Sequence, residues 1–513
     1  MSKNRELFKS TGIVSFFTLV SRILGLVRDR VIAYLFGTSW ISEAFVVAFR
    51  IPNTLRHLIG EGATNAAVIP VLSEYLYKDS DKEFWRISNI LLNFFSIILL
   101  GISIIGVLLS PFIVRIIAIG FIDNPEKLAL TIKLTKIMFS FIFFIGIFAY
   151  VMGVLNTLKH FAFPAAGSCF LNLTLIVFGI WLAPQYKEPV VGMAIAVLIG
   201  GFLQLLVQIP ILIKKGFKFK FIFEFKHPVV AKITKLMAPR IIGSSIYQLN
   251  IFVDTIFGSF SAIVGSGAIA ALYFANRLIQ FPTAIFGNSL ATASLPTMSE
   301  YVVTDDMAGL KHLLFLSLKS SLILLIPSSF GLMFLAHPII QILFETGQFT
   351  SYSTNITALA LIFYCLGLFA YSGTQVLTIC FYALKDTSTP VKITFISLIA
   401  NAVFNLVFMY PLKIGGLALA TSISSTLNLF LLVYYLRKKI GNLGLINLIN
   451  TFKTLLIVSL VMGVISRLSY VFCLNFMHNV LSLIAAIVSG TAVFFACSWK
   501  LGLFKNLKIN LFK

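Results

Sequence analysis

Apolar residues run through this chain in stretches far longer than a soluble core needs. Ile90 to Leu109 and Ile137 to Leu155 are two of many such runs. A helix needs roughly 20 apolar residues to cross a hydrocarbon layer. Laying segments of that length along the chain gives about fourteen. The pattern predicts an all-α polytopic membrane protein. The first ten residues are basic, and the stretch after them holds Arg22, Arg28 and Asp29. A cleavable signal core would exclude such charges, so this stretch is expected to be a retained first span.

Composition agrees with the pattern. Of 513 residues 58% are hydrophobic and 11% charged, and mean hydropathy is +0.97. The formal net charge of +22 would point a soluble protein towards nucleic acid. Here the charge follows topology, and no nucleic-acid partner is expected. Lys3, Arg5 and Lys9 precede the first span, and Lys214, Lys215, Lys218, Lys220 and Lys226 fill the connection after the sixth. Arg437, Lys438 and Lys439 follow the twelfth, and Lys500, Lys505, Lys508 and Lys513 close the chain. With alternating spans all fall on one side, which the positive-inside rule makes the cytoplasm, together with both termini.

The chain also repeats itself. PVLSEY at Pro70 to Tyr75 returns as PTMSEY at Pro296 to Tyr301, and Leu158-Lys159 returns as Leu384-Lys385, both at an offset of 226 residues. Asp29 and Asp254 match at nearly the same offset. The expected organisation is an N-terminal lobe at 1–225 (spans one to six), a C-terminal lobe at 226–444 (spans seven to twelve), and two extra spans at 445–513. Six is even, so the two six-helix repeats enter the membrane in parallel and face each other across a central cavity.

Charges interrupt particular spans. Arg22, Arg28 and Asp29 lie in the first, Glu43, Arg50, Arg56, His57 and Glu61 in the second, and Arg277 in the eighth. An arginine at the bilayer centre costs roughly 2.5–3.5 kcal/mol, so five uncompensated ones would cost on the order of 12 kcal/mol. Helical spacing gathers them onto faces: Arg22, Gly25 and Asp29 share one, and Asn53, Arg56 and Gly60 another. Arg22, Arg28, Arg50, Arg56 and Arg277 therefore read as a cationic lining whose planar forks suit phosphate or pyrophosphate oxygens. Asp29, Glu43 and Glu61 are their charge partners. The competing reading makes every arginine a salt bridge that only holds helices together.

A second polar group comprises Asp254 in span seven, Asn401 and Asn405 in span eleven, and Thr421 in span twelve. Its oxygens suit a small cation such as Na⁺, or hydrogen bonding between helices. No G-x-x-x-x-G-K-[ST] or H-E-x-x-H occurs, so neither nucleotide hydrolysis nor a zinc enzyme is expected, and no cofactor beyond that Na⁺. Cys169, Cys365, Cys380, Cys473 and Cys497 have no ligand spacing and read as packing residues.

VSRILGLVRDRVIAYLFG, EAFVVAFRIPNTLRHLIGEGATNAAVIPVLSEY and ANRLIQFPTAIFGNSLATASLPTMSEY together resemble the MviN/MurJ family of lipid II flippases, within the multidrug/oligosaccharidyl-lipid/polysaccharide exporter superfamily. The resemblance covers nearly the whole chain. It implies flipping of lipid II, the undecaprenyl-diphosphate-linked peptidoglycan precursor, to the outer leaflet of the bacterial cytoplasmic membrane. The implied partners are lipid II, membrane lipids and cell-wall synthesis proteins. Arg22, Arg28, Arg56 and Arg277 take the places of family arginines that meet the diphosphate, and Asp29 that of their acidic partner. Glu43 stands where aspartate is usual, Arg50 where lysine also occurs, and His57 where a further arginine is common. The last two spans resemble a groove for the polyprenyl tail. The family's sodium site maps to Asp254, Asn401, Asn405 and Thr421, with Asn405 where an acid is expected. The competing functions are export of another lipid-linked glycan, cation-coupled drug antiport, which expects acids rather than arginines, and a non-transporting scaffold for cell-wall enzymes.

Overall fold

A computed structural model describes residues 2–56, 58, 65–78 and 80–503; the side chains at 2–11, 65–66, 239–247, 288 and 445–446 are outside the description. His57 and Glu61 therefore lie outside the described residues. All regular structure among the described residues is helical. The chain divides into two units, 1–259 and 260–513.

The first unit holds α1 (Ser2–Phe36), α2 (Trp40–Arg56), α3 (Asn65–Lys78), α4 (Asp81–Ile117), α5 (Pro125–Phe139), α6 (Phe141–Thr157), α7 (Ala162–Val177), α8 (Pro189–Leu206), α9 (Ile209–Lys214) and α10 (Pro228–Gly258). The second holds α11 (Ser261–Val264), α12 (Ala268–Pro282), α13 (Ser289–Val303), α14 (Met307–Phe334), α15 (Ala336–Phe344), α16 (Ser351–Cys365), α17 (Leu368–Ala383), α18 (Ser388–Ile440), α19 (Leu445–Cys473) and α20 (Asn479–Lys500).

Among the described residues nine helical stretches are long and apolar enough to cross a membrane, or ten if α16 and α17, bent by 44°, form one span. α1 and α10 are not among them, and residues 388–440 count once. α18 is nevertheless two helices, broken where Lys413 takes a left-handed φ of 51° two residues after Pro411. The expectation of about fourteen spans thus remains a reading of the sequence.

Each unit carries the same internal packing. In the first, α2 packs on α5, α3 on α6, and α4 on both α5 and α6; in the second, α12 packs on α16, α13 on α17, and α14 on both α16 and α17. The turns ending α6 and α17 match bond for bond. His160 N–H reaches Leu155 C=O and Lys159 N–H reaches Asn156 C=O; Asp386 N–H reaches Phe381 C=O and Lys385 N–H reaches Tyr382 C=O. This is a Schellman ending. It forces the residue after the helix into the left-handed region, where glycine is usual, and Lys159 and Lys385 sit there at φ 58° and 59°. The repeated Leu-Lys of the sequence is thus a repeated backbone turn.

The packing division falls at 259/260 because α10 packs on α3 and α4 of the first unit, whereas the sequence repeat restarts near 226. In the second unit α19 packs on α14 and α20 on α19. The connection after α9 has no helix or strand through residues 217–224. It lies on α4, whose buried Asn89 and Asn93 bond to its backbone. Along α4 the exposed row Ile97, Ile104, Leu108, Phe112 and Ile116 has the apolar character of a lipid-facing surface.

Candidate functional site

Within the first unit these charged residues lie on α1 and α2. On α1, Arg28 and Asp29 are buried, at 5% and 2% exposure. Arg28 Nε and Nη2 both donate to Asp29 Oδ1, at 3.0 and 2.6 Å, and Nη1 donates to Asn172 Oδ1 on α7 at 3.0 Å. Asn172 Nδ2 donates in turn to the Ser21 carbonyl at 3.0 Å. A guanidinium whose fork is engaged this way satisfies the demand that a buried charge be paired and hydrogen-bonded. Arg22, under two turns earlier, is exposed. Gly25, between them, faces the Asn172 side chain.

On α2, Glu43 is fully buried and its Oε2 lies 2.5 Å from Lys127 Nζ on α5, itself 4% exposed. The Lys127 ammonium also sits 3.8 Å from the centre of the Phe121 ring. Further along α2, half-buried Arg50 donates from Nη1 to Thr255 Oγ1 of α10 at 2.5 Å, beside half-buried Asp254. Half-buried Arg56 donates from Nε to Asn53 Oδ1 at 3.2 Å, a contact along its own helix face.

In the second unit Arg277 is half-buried on α12, 5.6 Å from the Tyr273 ring centre and 3.4 Å from Gln280 Oε1. The helix beyond it loosens into a π segment at Thr283–Asn288, after Pro282. Such segments often mark functional positions in helices. The polar group of α18 forms a hydrogen-bonded chain across its break. Asn405 Nδ2 donates to Asn401 Oδ1 at 3.0 Å, and Asn401 Nδ2 donates to Thr421 Oγ1 at 3.3 Å and Ser424 Oγ at 3.4 Å. Asn401 and Asn405 are fully buried. These bonds join Asn401, Asn405 and Thr421, and Asp254 lies on α10 in the first unit.

The sequence did not single out Lys127, Asn172 or Thr255. Lys127 follows an Asn124 cap and Pro125, and so reads as an ordinary basic residue at a helix start. Lys319, buried at 9% inside α14, was also missed, although a lysine within LFLSLKSSLILLI is a visible signal. The five cysteines are free thiols, buried or half-buried.

The fold and these charged helices define a polytopic α-helical membrane protein. Its architecture matches an inward-facing MATE family transporter of the MOP superfamily at a TM-score of 0.72, over 83% of this chain and 95% of that one; at 14% identity this likeness is one of fold alone. A solved structure titled lipid II flippase MurJ, inward closed conformation, matches at a TM-score of 0.80 and 29% identity, over 96% of this chain and 99% of that one. The family model for lipid II flippase MurJ matches residues 32–489. The probable lipid II flippase MurJ of Vibrio cholerae is 37% identical over 456 residues, 85% of each chain. The chain belongs to the lipid II flippase MurJ family.

Proposed function

We propose that this chain flips lipid II from the inner to the outer leaflet of the bacterial cytoplasmic membrane, as a transporter rather than an enzyme, with both termini in the cytoplasm. The observation that carries the reading is a set of arginines on α1, α2 and α12, within a chain of this family. Arg22 is exposed and Arg50, Arg56 and Arg277 are half-buried, so their guanidinium groups have surface to offer a diphosphate. Arg28 acts through position: paired with Asp29 and bonded to Asn172, it fixes α1 against α7 below Arg22.

In this reading residues 1–225 and 226–444 are two repeated six-span units that expose the arginine set alternately to the two faces. Residues 445–513 guide the polyprenyl tail, which stays in lipid. A membrane potential, negative inside, favours outward movement of an anion by about 2.3 kcal/mol per charge per 100 mV. Asn401, Asn405 and Thr421 would hold a sodium ion, which would supply one positive charge at the break of α18; Asp254 is assigned to it on sequence alone. Delivery of the flipped product to cell-wall synthesis proteins follows from the same reading.

The test is complementation of a flippase-depleted bacterium, with lipid II at the outer leaflet as readout. The wild-type chain should rescue. The Arg22→Ala/Arg277→Ala double variant, at equal membrane expression, should not. Equal rescue by both removes the arginine site. No rescue by a well-expressed wild-type chain assigns another lipid-linked glycan.

A further inference from the structure

The connection after α9 has no part in that reading. It runs Phe217-Lys218-Phe219-Lys220-Phe221-Ile222-Phe223-Glu224-Phe225-Lys226. Alternation along an open segment sets Phe217, Phe219, Phe221 and Phe223 on one edge, and Phe225 follows in the turn at its end. The rings of Phe219, Phe221, Phe223 and Phe225 follow one another at 4.7, 6.1 and 6.0 Å between centres. All four are exposed, and Phe221 is the most exposed at 75%. Lys218, Lys220 and Lys226 are exposed beside them.

Asn89 and Asn93 of α4 hold the segment's backbone against that helix. Asn89 donates to the Lys218 carbonyl at 3.0 Å and accepts from the Lys220 N–H at 2.8 Å. Asn93 donates to the Lys220 carbonyl at 2.8 Å and to the Ile222 carbonyl at 3.3 Å. The ends are pinned by ring contacts, Phe217 on Trp85 and Phe225 on Phe94. Glu224 is taken by Arg86, at 2.9 Å from both carboxylate oxygens. That leaves the segment cationic towards solvent. Its tip, at residues 220–222, lies beside Asn93, one helical turn before Ile97 and Ile98, where the exposed apolar row of α4 begins. The phenylalanine edge is thus continuous with the lipid-facing surface.

We propose that residues 217–226 are an interfacial strap: its phenylalanines seat at the acyl boundary of the leaflet, and Lys218, Lys220 and Lys226 bind the headgroups of anionic lipids. Aromatic rings favour that depth, and lysines reach from it to phosphate with their alkyl stems still in apolar surroundings. The occupant is a lipid leaflet because the patch joins aromatic surface to positive charge at the level where an apolar span begins.

The experiment uses the full chain in vesicles, with its five cysteines replaced by serine and a nitroxide label on Phe221→Cys. A second preparation carries the label on Ile104→Cys, in the lipid-facing row, and verifies insertion. Accessibility to oxygen and to a water-soluble nickel chelate is read in phosphatidylcholine vesicles with and without phosphatidylglycerol. The label at 221 should favour oxygen, and more so with phosphatidylglycerol. Each of Lys218→Gln, Lys220→Gln and Lys226→Gln should lower the preference for the anionic vesicle about fivefold, leaving the label at 104 unchanged. Added inorganic phosphate should have no effect. A label at 221 open to the nickel chelate in both lipids, or lysine substitutions without effect, overturns the strap. So does immobilisation of that label by a soluble acidic protein but not by lipid.

Discussion

Asn89 is the residue through which α4 holds the segment at 217–226, and its removal gives a sharp quantitative test. Asn89 is 1% exposed, and its side chain makes two bonds to the segment's backbone, at 3.0 and 2.8 Å. Asn89→Ala deletes both without changing the charge of the segment. A net contribution of about 1 kcal/mol per bond makes local opening easier by about 2 kcal/mol, and 1.4 kcal/mol is tenfold in an equilibrium constant. Opening should therefore rise roughly 30-fold. Trypsin reads it directly, since Lys218, Lys220 and Lys226 all lie in the segment. When opening is fast relative to cleavage, the cutting rate follows the open population. In detergent, at low protease, cleavage after these lysines should accelerate roughly 30-fold, while cleavage after exposed Lys187 keeps its rate. Rates within twofold of wild type at both places would refute the reasoning, because they would mean that Asn89 does not hold the segment.

Three further outcomes are expected. Glu43→Gln and Lys127→Met should each destabilise by about 3–5 kcal/mol, and the double variant by much less than their sum, because each single change removes the ion partner of a buried charge; simple additivity in thermal unfolding would show that the pair does not interact. Gly416 packs where a Cβ would strike the Phe408 backbone carbonyl at the turn of α18, so Gly416→Ala should cost about 1–3 kcal/mol, read as a melting point lower by about 2–6 °C, and an unchanged melting point would exclude that close approach. Burial pushes the Asp386 carboxyl up, but Lys439 at 2.7 Å and the Thr389 donors outweigh it and hold the group below the usual carboxylate range. The stability this anchor adds is therefore complete above the ordinary aspartate value, about 3.9, and is lost as pH falls further towards the lowered one; Asp386→Asn should flatten that acid limb, and an identical pH profile for both proteins would remove the anchor.

The sequence by itself determined the solvent and the class. Runs such as Ile90 to Leu109 admit only a helix with its backbone satisfied internally in lipid, and that constraint acts locally. The repeat was legible for the same reason: Leu158-Lys159 and Leu384-Lys385 encode one local turn, which both units form. The arginines were visible because a charge in an apolar run is costly wherever it sits. What the charges touch was not visible. Glu43 meets Lys127 84 residues away, Arg28 meets Asn172 144 residues away, and Arg50 meets Thr255 205 residues away. Periodicity gives the face of a helix but not the helix packed against it, so those pairings were decided only by tertiary contact. The same holds for the segment at 217–226. Its alternation is plain in the sequence, but its backbone is held against α4 by two asparagines more than a hundred residues earlier.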